Sequence, residues 1–275
     1  MPSLTTHDAE LHYDDAGRGP EVLFLQGVGI GRCAWSPQVR GLEGSFRCVA
    51  VDHRGIGGST GALESLSVDR MARDALALVD GLGIERVHVV GHSLGGVVAQ
   101  RFALLAPERT RSLSLLCTFA GGRDLARPSM RLVWLGLRTR LGTRAMRRGA
   151  FARLVMPDAE IEARGLEAVA KELEAVFGRS LADAPPIGDR QLAALREHDE
   201  RERLSELARV PTFVASGRFD PIATVDCGRR LAAAIPGARF REWENASHAL
   251  PIQLPGEIND ALRAHFEASA LTAAA

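Results

Sequence analysis

Lysine is almost missing from the chain: Lys171 stands alone among 34 basic residues, all the others being arginine, a bias that carries no structural conclusion. Net charge is missing too, with 34 basic against 34 acidic residues. No global field draws the chain toward nucleic acid or an anionic membrane. The four cysteines, Cys33, Cys48, Cys117 and Cys227, form no Cys-x-x-Cys pair and are too sparse for a disulfide scaffold. They read as reduced thiols. No stretch reaches about 18 uninterrupted apolar residues, and the first ten residues offer neither a basic start nor an apolar run. The expectation is a cytoplasmic protein with no stable membrane association and no nucleic-acid partner.

What is present is an ordinary globular composition, 46% hydrophobic and 25% charged over 275 residues, enough to bury a full core. Short near-continuous apolar runs at 21–26, 47–52, 86–90, 112–118 and 211–216 alternate with segments of helical period at 67–82 and 94–105. Strands that are apolar on both faces belong to a sheet covered on both sides. Repetition of this βα rhythm predicts an α/β fold with a mostly parallel central sheet flanked by helices. Residues 9–13 suggest an antiparallel edge. A helix near 227–234, a strand near 240–243 and a last helix at 257–266 complete the pattern.

Between Gly121 and about Arg209 the rhythm stops, and Ala, Leu, Arg and Glu dominate. Leu132, Trp134, Leu137, Leu166, Val169, Leu173, Phe177 and Leu195 give this stretch apolar faces, so it reads as a helical cap over 122–208, inserted into a core of 1–121 and 209–275. Nine arginines and a single acid, Asp124, lie between Arg123 and Arg153. Their simplest role is a solvated face paired with the acids from Asp158 to Glu206. The sharper alternative is a receptor for a substrate carboxylate.

Chemistry concentrates at Gly91-His92-Ser93-Leu94-Gly95, directly after an apolar strand and directly before a helix. A bare G-x-S-x-G arises by chance in roughly one chain in ten, so the strand before and helix after carry the weight. The sharp turn forces Ser93 into a strained backbone and exposes its hydroxyl at the carboxyl edge of the sheet. A serine hydroxyl needs a base, and the base an orienting acid. Asp220 follows the strand at 211–216, and His248 follows the strand ending near Trp243. The chain order Ser, Asp, His differs from the other two common triad orders. Asp226 is the rival acid, but it falls inside a predicted helix. Of the other histidines, His92 lies inside the elbow itself, and His7, His12, His53, His88, His198 and His265 sit at terminal, strand or helical positions that suit a satisfied or solvated ring; no pair has metal-ligand spacing.

An oxyanion needs two preorganised N–H donors. Leu94 at the start of its helix supplies one, and the loop Gln26-Gly27-Val28-Gly29-Ile30-Gly31 should supply the other. That loop is not a dinucleotide fingerprint. Its third glycine comes too early for G-x-G-x-x-G, and Asp52, the nearest acid at the right distance, belongs to another turn.

With these motifs the chain resembles the α/β-hydrolases with a helical cap over nearly its whole length. Asp52-His53-Arg54-Gly55-Ile56-Gly57-Gly58-Ser59 is similar to the family's D-x-R-G-x-G-x-S turn, and Trp35 falls where many members carry tryptophan. The resemblance aligns Gln26-Gly27 with a His-Gly pair, which makes the Val28 N–H the second oxyanion donor and Gln26 a departure. It implies Ser93, Asp220 and His248 as the catalytic set, with Gln26, Gly27, Trp35, His92 and Trp134 lining a substrate pocket. No metal or organic cofactor is implied. Within the family the chain is similar to 3-oxoadipate enol-lactonases and small carboxylesterases. Dehalogenases and epoxide hydrolases use Asp as nucleophile, and carbon–carbon bond hydrolases usually carry Trp where Ala249 stands. The implied activity is hydrolysis of a small ester or lactone through an acyl-enzyme. A cofactor-free perhydrolase or haloperoxidase-like enzyme and a slowly hydrolysing ligand receptor share the same residues.

Overall fold

A computed structural model describes residues 2–125 and 129–274, with backbone alone at 125 and 272–274. Eight strands form one sheet: β1 (Ser3–Thr5), β2 (Glu10–Ala16), β3 (Glu21–Leu25), β4 (Arg47–Val51), β5 (Val87–His92), β6 (Thr110–Leu116), β7 (Thr212–Gly217) and β8 (Arg239–Trp243). Their spatial order is β1-β2-β4-β3-β5-β6-β7-β8. β1 and β2 pair antiparallel at one edge, and every pairing from β4 through β8 is parallel. The helices are α1 (Ser36–Leu42), α2 (Val68–Gly81), α3 (Leu94–Leu105), α4 (Met130–Arg138), α5 (Arg144–Val155), α6 (Asp158–Arg164), α7 (Leu166–Phe177), α8 (Ile187–Glu197), α9 (Val225–Ala234), α10 (Leu250–Gln253) and α11 (Pro255–Ala274). The antiparallel edge is longer than its sequence signal, and α11 extends past the apolar stretch at 257–266 to Ala274.

The period-two geometry of strands explains why the central runs are apolar throughout. Leu23, Leu25, Val49, Val51, Val87, Val89, Leu113, Leu115 and Val214 face a core that includes side chains of α2, α3 and α9. Their neighbours Val22, Phe24, Cys48, Ala50, Val90, Leu116, Phe213 and Ala215 face a second core with α1 and α11. Each strand therefore buries both faces. The connection from β3 leads outward to β4, whereas the next one crosses back past β3 to β5. The gap between the carboxyl ends of β3 and β5 is the switch point at which open α/β sheets place their sites.

Helices α4 to α8 lie between β6 and β7. Their own core, built on Val155, Ile161, Val169, Leu173 and Phe177, includes Ala34 and Ala249 from the sheet side. The stem of this insertion closes where Gly121 bridges Asp199. Leu204 and Leu207 pack in the sheet core, so the chain rejoins it before residue 208. The basic stretch is mostly paired: Arg123 with Asp199, Arg131 and Arg153 with Asp158, Arg140 with Asp189, Arg144 with Asp183, and Arg148 with Glu167 and Glu174. Arg127 lies outside the described residues. These are mostly exposed pairs, and each contributes little to stability.

The turn after β4 holds a different kind of pair. Arg54 is fully buried; its Nε donates to Asp74 Oδ2 at 2.7 Å and its Nη1 to the Ala62 carbonyl at 3.0 Å, with Asp8 beyond. The charge staples the turn to α2. Removing one partner of a buried pair leaves the other charge uncompensated. Arg54→Met is expected to lower the unfolding free energy by about 3–5 kcal/mol, read as a drop in the urea midpoint. A loss below about 1 kcal/mol would show the pair to be ordinary surface electrostatics.

Candidate functional site

Ser93 sits between β5 and α3 with φ 55° and ψ −121°, one of two non-glycine residues at positive φ among those described. Such a backbone costs of order 1–3 kcal/mol and persists only where its surroundings fix it. Here they do: Ser93 N–H donates to the Leu116 carbonyl at 3.0 Å, and Thr118 Oγ1 donates to the Ser93 carbonyl at 2.7 Å. The glycines around it are required by close approach. A Cβ on Gly91 would lie 2.2 Å from the Gly95 carbonyl oxygen, and a Cβ on Gly95 would lie 2.0 Å from that of Leu25. The turn is therefore pressed against both neighbouring strands and its own helix.

Asp220 follows β7 and His248 follows β8. His248 Nδ1 is 2.7 Å from Asp220 Oδ2, and both side chains are buried. Asp220 Oδ1 accepts from the N–H groups of Ile222 at 2.8 Å and Ala223 at 2.9 Å. Both carboxylate oxygens are thus held, and the His248 ring is oriented by a fixed acceptor. The rival Asp226 projects from α9 into solvent beside Arg229.

Gly27 is packed against the serine: a Cβ there would touch Ser93 Cβ at 3.2 Å. The N–H groups of Val28 and Leu94 donate to no protein acceptor among the described residues. Leu94 is also the first residue of α3, where the helix dipole favours negative charge. Leu94 adjoins the serine in sequence, and Val28 follows the glycine packed against it.

Gln26 and His92 make one unit behind these groups. Gln26 Oε1 accepts from Gly27 N–H at 2.8 Å and lies 2.9 Å from His92 Nδ1; His92 Nε2 is 2.8 Å from the His248 carbonyl oxygen. The two imidazoles are 4.8 Å apart between centroids. Burial, aided by His248, pushes His92 down to about 3, so the ring is neutral and has one proton to share between these two contacts. Both contacts are to oxygens, so only one is a hydrogen bond at a time: on Nε2 the proton goes to the His248 carbonyl and ties that loop to the elbow, and on Nδ1 it goes to Gln26 Oε1. Gln26 thus fills a polar position rather than leaving a gap.

The two tryptophans expected to line the pocket have opposite surroundings. Trp35 is fully buried in the core, 5.0 Å from Phe24 and edge-on to His92, because the turn after β3 folds it under the sheet edge. Trp134 keeps 57% of its surface in solvent on α4, with the Arg138 guanidinium over its ring. Of α4, only Leu135 is buried, so most of the apolar side expected there meets solvent.

The insertion touches the site at points the sequence did not signal. Ala249 N–H, next to His248, donates to the Val155 carbonyl at 2.8 Å. Gly29 is gripped at both ends of its backbone: its N–H donates to Gln191 Oε1 at 2.7 Å, and its carbonyl accepts from Arg179 Nη2 at 3.1 Å. Among the described residues no three His, Cys, Asp or Glu side chains converge as a metal site, and no helix is long and apolar enough to cross a membrane.

Residues 20–253 match the family model described as the alpha/beta hydrolase fold. The chain is 31% identical over 273 residues to a protein of Azorhizobium caulinodans named RutD carbamate hydrolase, covering 95% of this chain and 97% of that protein. It is 32% identical over 256 residues to a 2-hydroxy-6-oxononadienedioate/2-hydroxy-6-oxononatrienedioate hydrolase of Paraburkholderia xenovorans, covering 88% and 85%. The crystal structure of an enol-lactonase from Burkholderia xenovorans superposes with a TM-score of 0.81 at 26% identity, covering 97% of this chain and all of that one. With these relatives, and with a sheet and elbow of this form, the chain belongs to the α/β-hydrolase family and is a hydrolase.

Proposed function

We propose that the protein is a serine hydrolase that cleaves a small-molecule carboxylic ester or lactone through an acyl-enzyme on Ser93. The observation that carries this reading is the 2.7 Å His248–Asp220 contact at the same sheet edge as a serine held at positive φ. Ser93 Oγ attacks the carbonyl carbon while His248 Nε2 takes its proton. Asp220, acceptor for Nδ1–H, fixes the tautomer and stabilises the imidazolium. The carbonyl oxygen, now an anion, receives the N–H groups of Val28 and Leu94. Collapse of the tetrahedral intermediate breaks the bond to the leaving oxygen, which takes the proton from His248. Water, deprotonated by His248, then attacks the acyl-enzyme, and Ser93 recovers its proton as the acid departs.

The helical insertion acts in this reading as a cap that shapes the acyl site. Relatives named for a carbamate and an enol-lactone support a carbonyl carbon bearing a heteroatom leaving group. The paired arginines do not favour recognition of a substrate carboxylate by the basic stretch, since six of the nine already face acids. A fluorophosphonate probe followed by peptide mapping tests the assignment. A single adduct on Ser93 is expected; an adduct elsewhere, or none on folded protein, would overturn it.

A further inference from the structure

Gln191 on α8 has no solvent exposure at all. Its Oε1 is committed to Gly29 N–H at 2.7 Å, which also fixes which end of the amide is oxygen. Among the described residues its Nε2 is buried without a hydrogen-bond partner. A buried amide nitrogen carries two donor protons, and leaving them unmade costs far more than a typical bond gains. Native interiors satisfy such groups, so this donor calls for a partner.

Its position says which partner. Gly29 is one residue beyond Val28 and two beyond Gly27, whose α-carbon faces Ser93 Cβ. A Cβ on Gly188, one turn earlier on α8, would lie 3.7 Å from Val28 Cγ1. α8 therefore roofs the loop that carries the proposed oxyanion donor. Covalent geometry places Nε2 within roughly 8 Å of the Val28 N–H, the reach of an acyl substituent two or three bonds beyond a bound carbonyl.

We infer that Gln191 is a specificity-determining residue whose Nε2 donates to an acceptor oxygen on the acyl portion of the substrate, so that the enzyme favours oxo- or oxa-acyl esters and lactones over hydrocarbon ones. The inference rests on the serine hydrolase reading. In this arrangement the same amide positions the oxyanion loop through Oε1 and reads the acyl group through Nε2. A site built to bond a polar group discriminates against the analogue lacking it, because its own donor is then left unpaired.

The test uses two nearly isosteric pairs of p-nitrophenyl esters: levulinate against 4-methylpentanoate, and methoxyacetate against butyrate. Wild type is compared with Gln191→Met and Gln191→Leu, which keep the bulk and remove both the donor and the acceptor that holds Gly29. The acceptor-to-hydrocarbon ratio of kcat/KM should fall about five- to tenfold in both variants for at least one pair. A merely structural role, loosening the loop at Gly29, would slow both members of a pair alike and leave every ratio unchanged. Unchanged ratios in both pairs would overturn the inference while leaving the hydrolase standing. Failure of wild type to turn over any of the four esters, with no fluorophosphonate adduct on Ser93, would overturn the hydrolase reading and this inference with it.

Discussion

Asp220→Asn is expected to lower kcat by about four orders of magnitude and Ser93→Ala by about six, the scale seen when the acid or the nucleophile is removed from serine-protease triads. Asp226→Asn should leave turnover essentially unchanged. The reason lies in how Asp220 is held. Its Oδ1 is fixed by the N–H groups of Ile222 and Ala223, which an asparagine oxygen would accept equally well. The asparagine NH2 would then face His248 Nδ1 and force that atom to be the acceptor. The ring proton moves to Nε2, and the ring loses the lone pair that takes the Ser93 proton. The fold should survive, since the change is isosteric and the Ile222 and Ala223 bonds remain. Steady-state kinetics with a p-nitrophenyl ester, beside circular dichroism, checks both halves. Comparable losses in Asp226→Asn and Asp220→Asn would move the orienting acid onto α9.

The parts of the molecule that were legible in its sequence are those where one local rule decides. β3 through β7 read as strands because they are covered on both faces, which leaves no polar alternation to blur the signal. The elbow was legible because Gly91 and Gly95 cannot carry a Cβ there, and the backbone cost of Ser93 demands such neighbours. The apolar face of α4 was not. Helical spacing shows that Trp134 and Leu137 share a side, but not that this side meets solvent, since burial depends on what the fold brings opposite. The role of Gln191 had no signal either. It is one polar residue in an amphipathic helix, and its significance arises from Gly29, 162 positions away. The pairing of the basic stretch was half legible: its sign balance pointed to the later acids, while the individual partners, such as Arg148 with Glu174, needed the helices packed.

A second large effect should appear on acidification, well away from the chemistry. Burial holds His53 and His265 down to about 4, and His88 and His92 down to about 3, with Arg239 adding to the effect on His265, Arg111 on His88 and His248 on His92. An unfolded histidine titrates near 6.5. Below that value the unfolded chain binds protons that the folded chain refuses, so stability rises with pH across this window and is lost as pH falls from 6.5 toward 4. Each such group contributes a slope of up to about 1.4 kcal/mol per pH unit, and four together approach about 5.5. Asp52 acts in the opposite sense, because burial raises its carboxyl despite Arg32, but it is one group against four. A domain with an ordinary stability of about 5–15 kcal/mol would then unfold in the region of pH 5, above the range in which exposed carboxylates titrate. Urea titrations at half-unit steps from pH 7 to pH 5 should give a slope that steepens from about one proton taken up on unfolding at pH 7 to between three and four near pH 5. His88 stacks on Phe266 at 4.5 Å and faces Ser112 Oγ at 2.8 Å, so His88→Gln retains a polar partner for the serine while deleting one titration. That variant should lose about one proton from the slope. An uptake of one proton or fewer in wild type near pH 5 would mean that these rings open to water before the fold is lost.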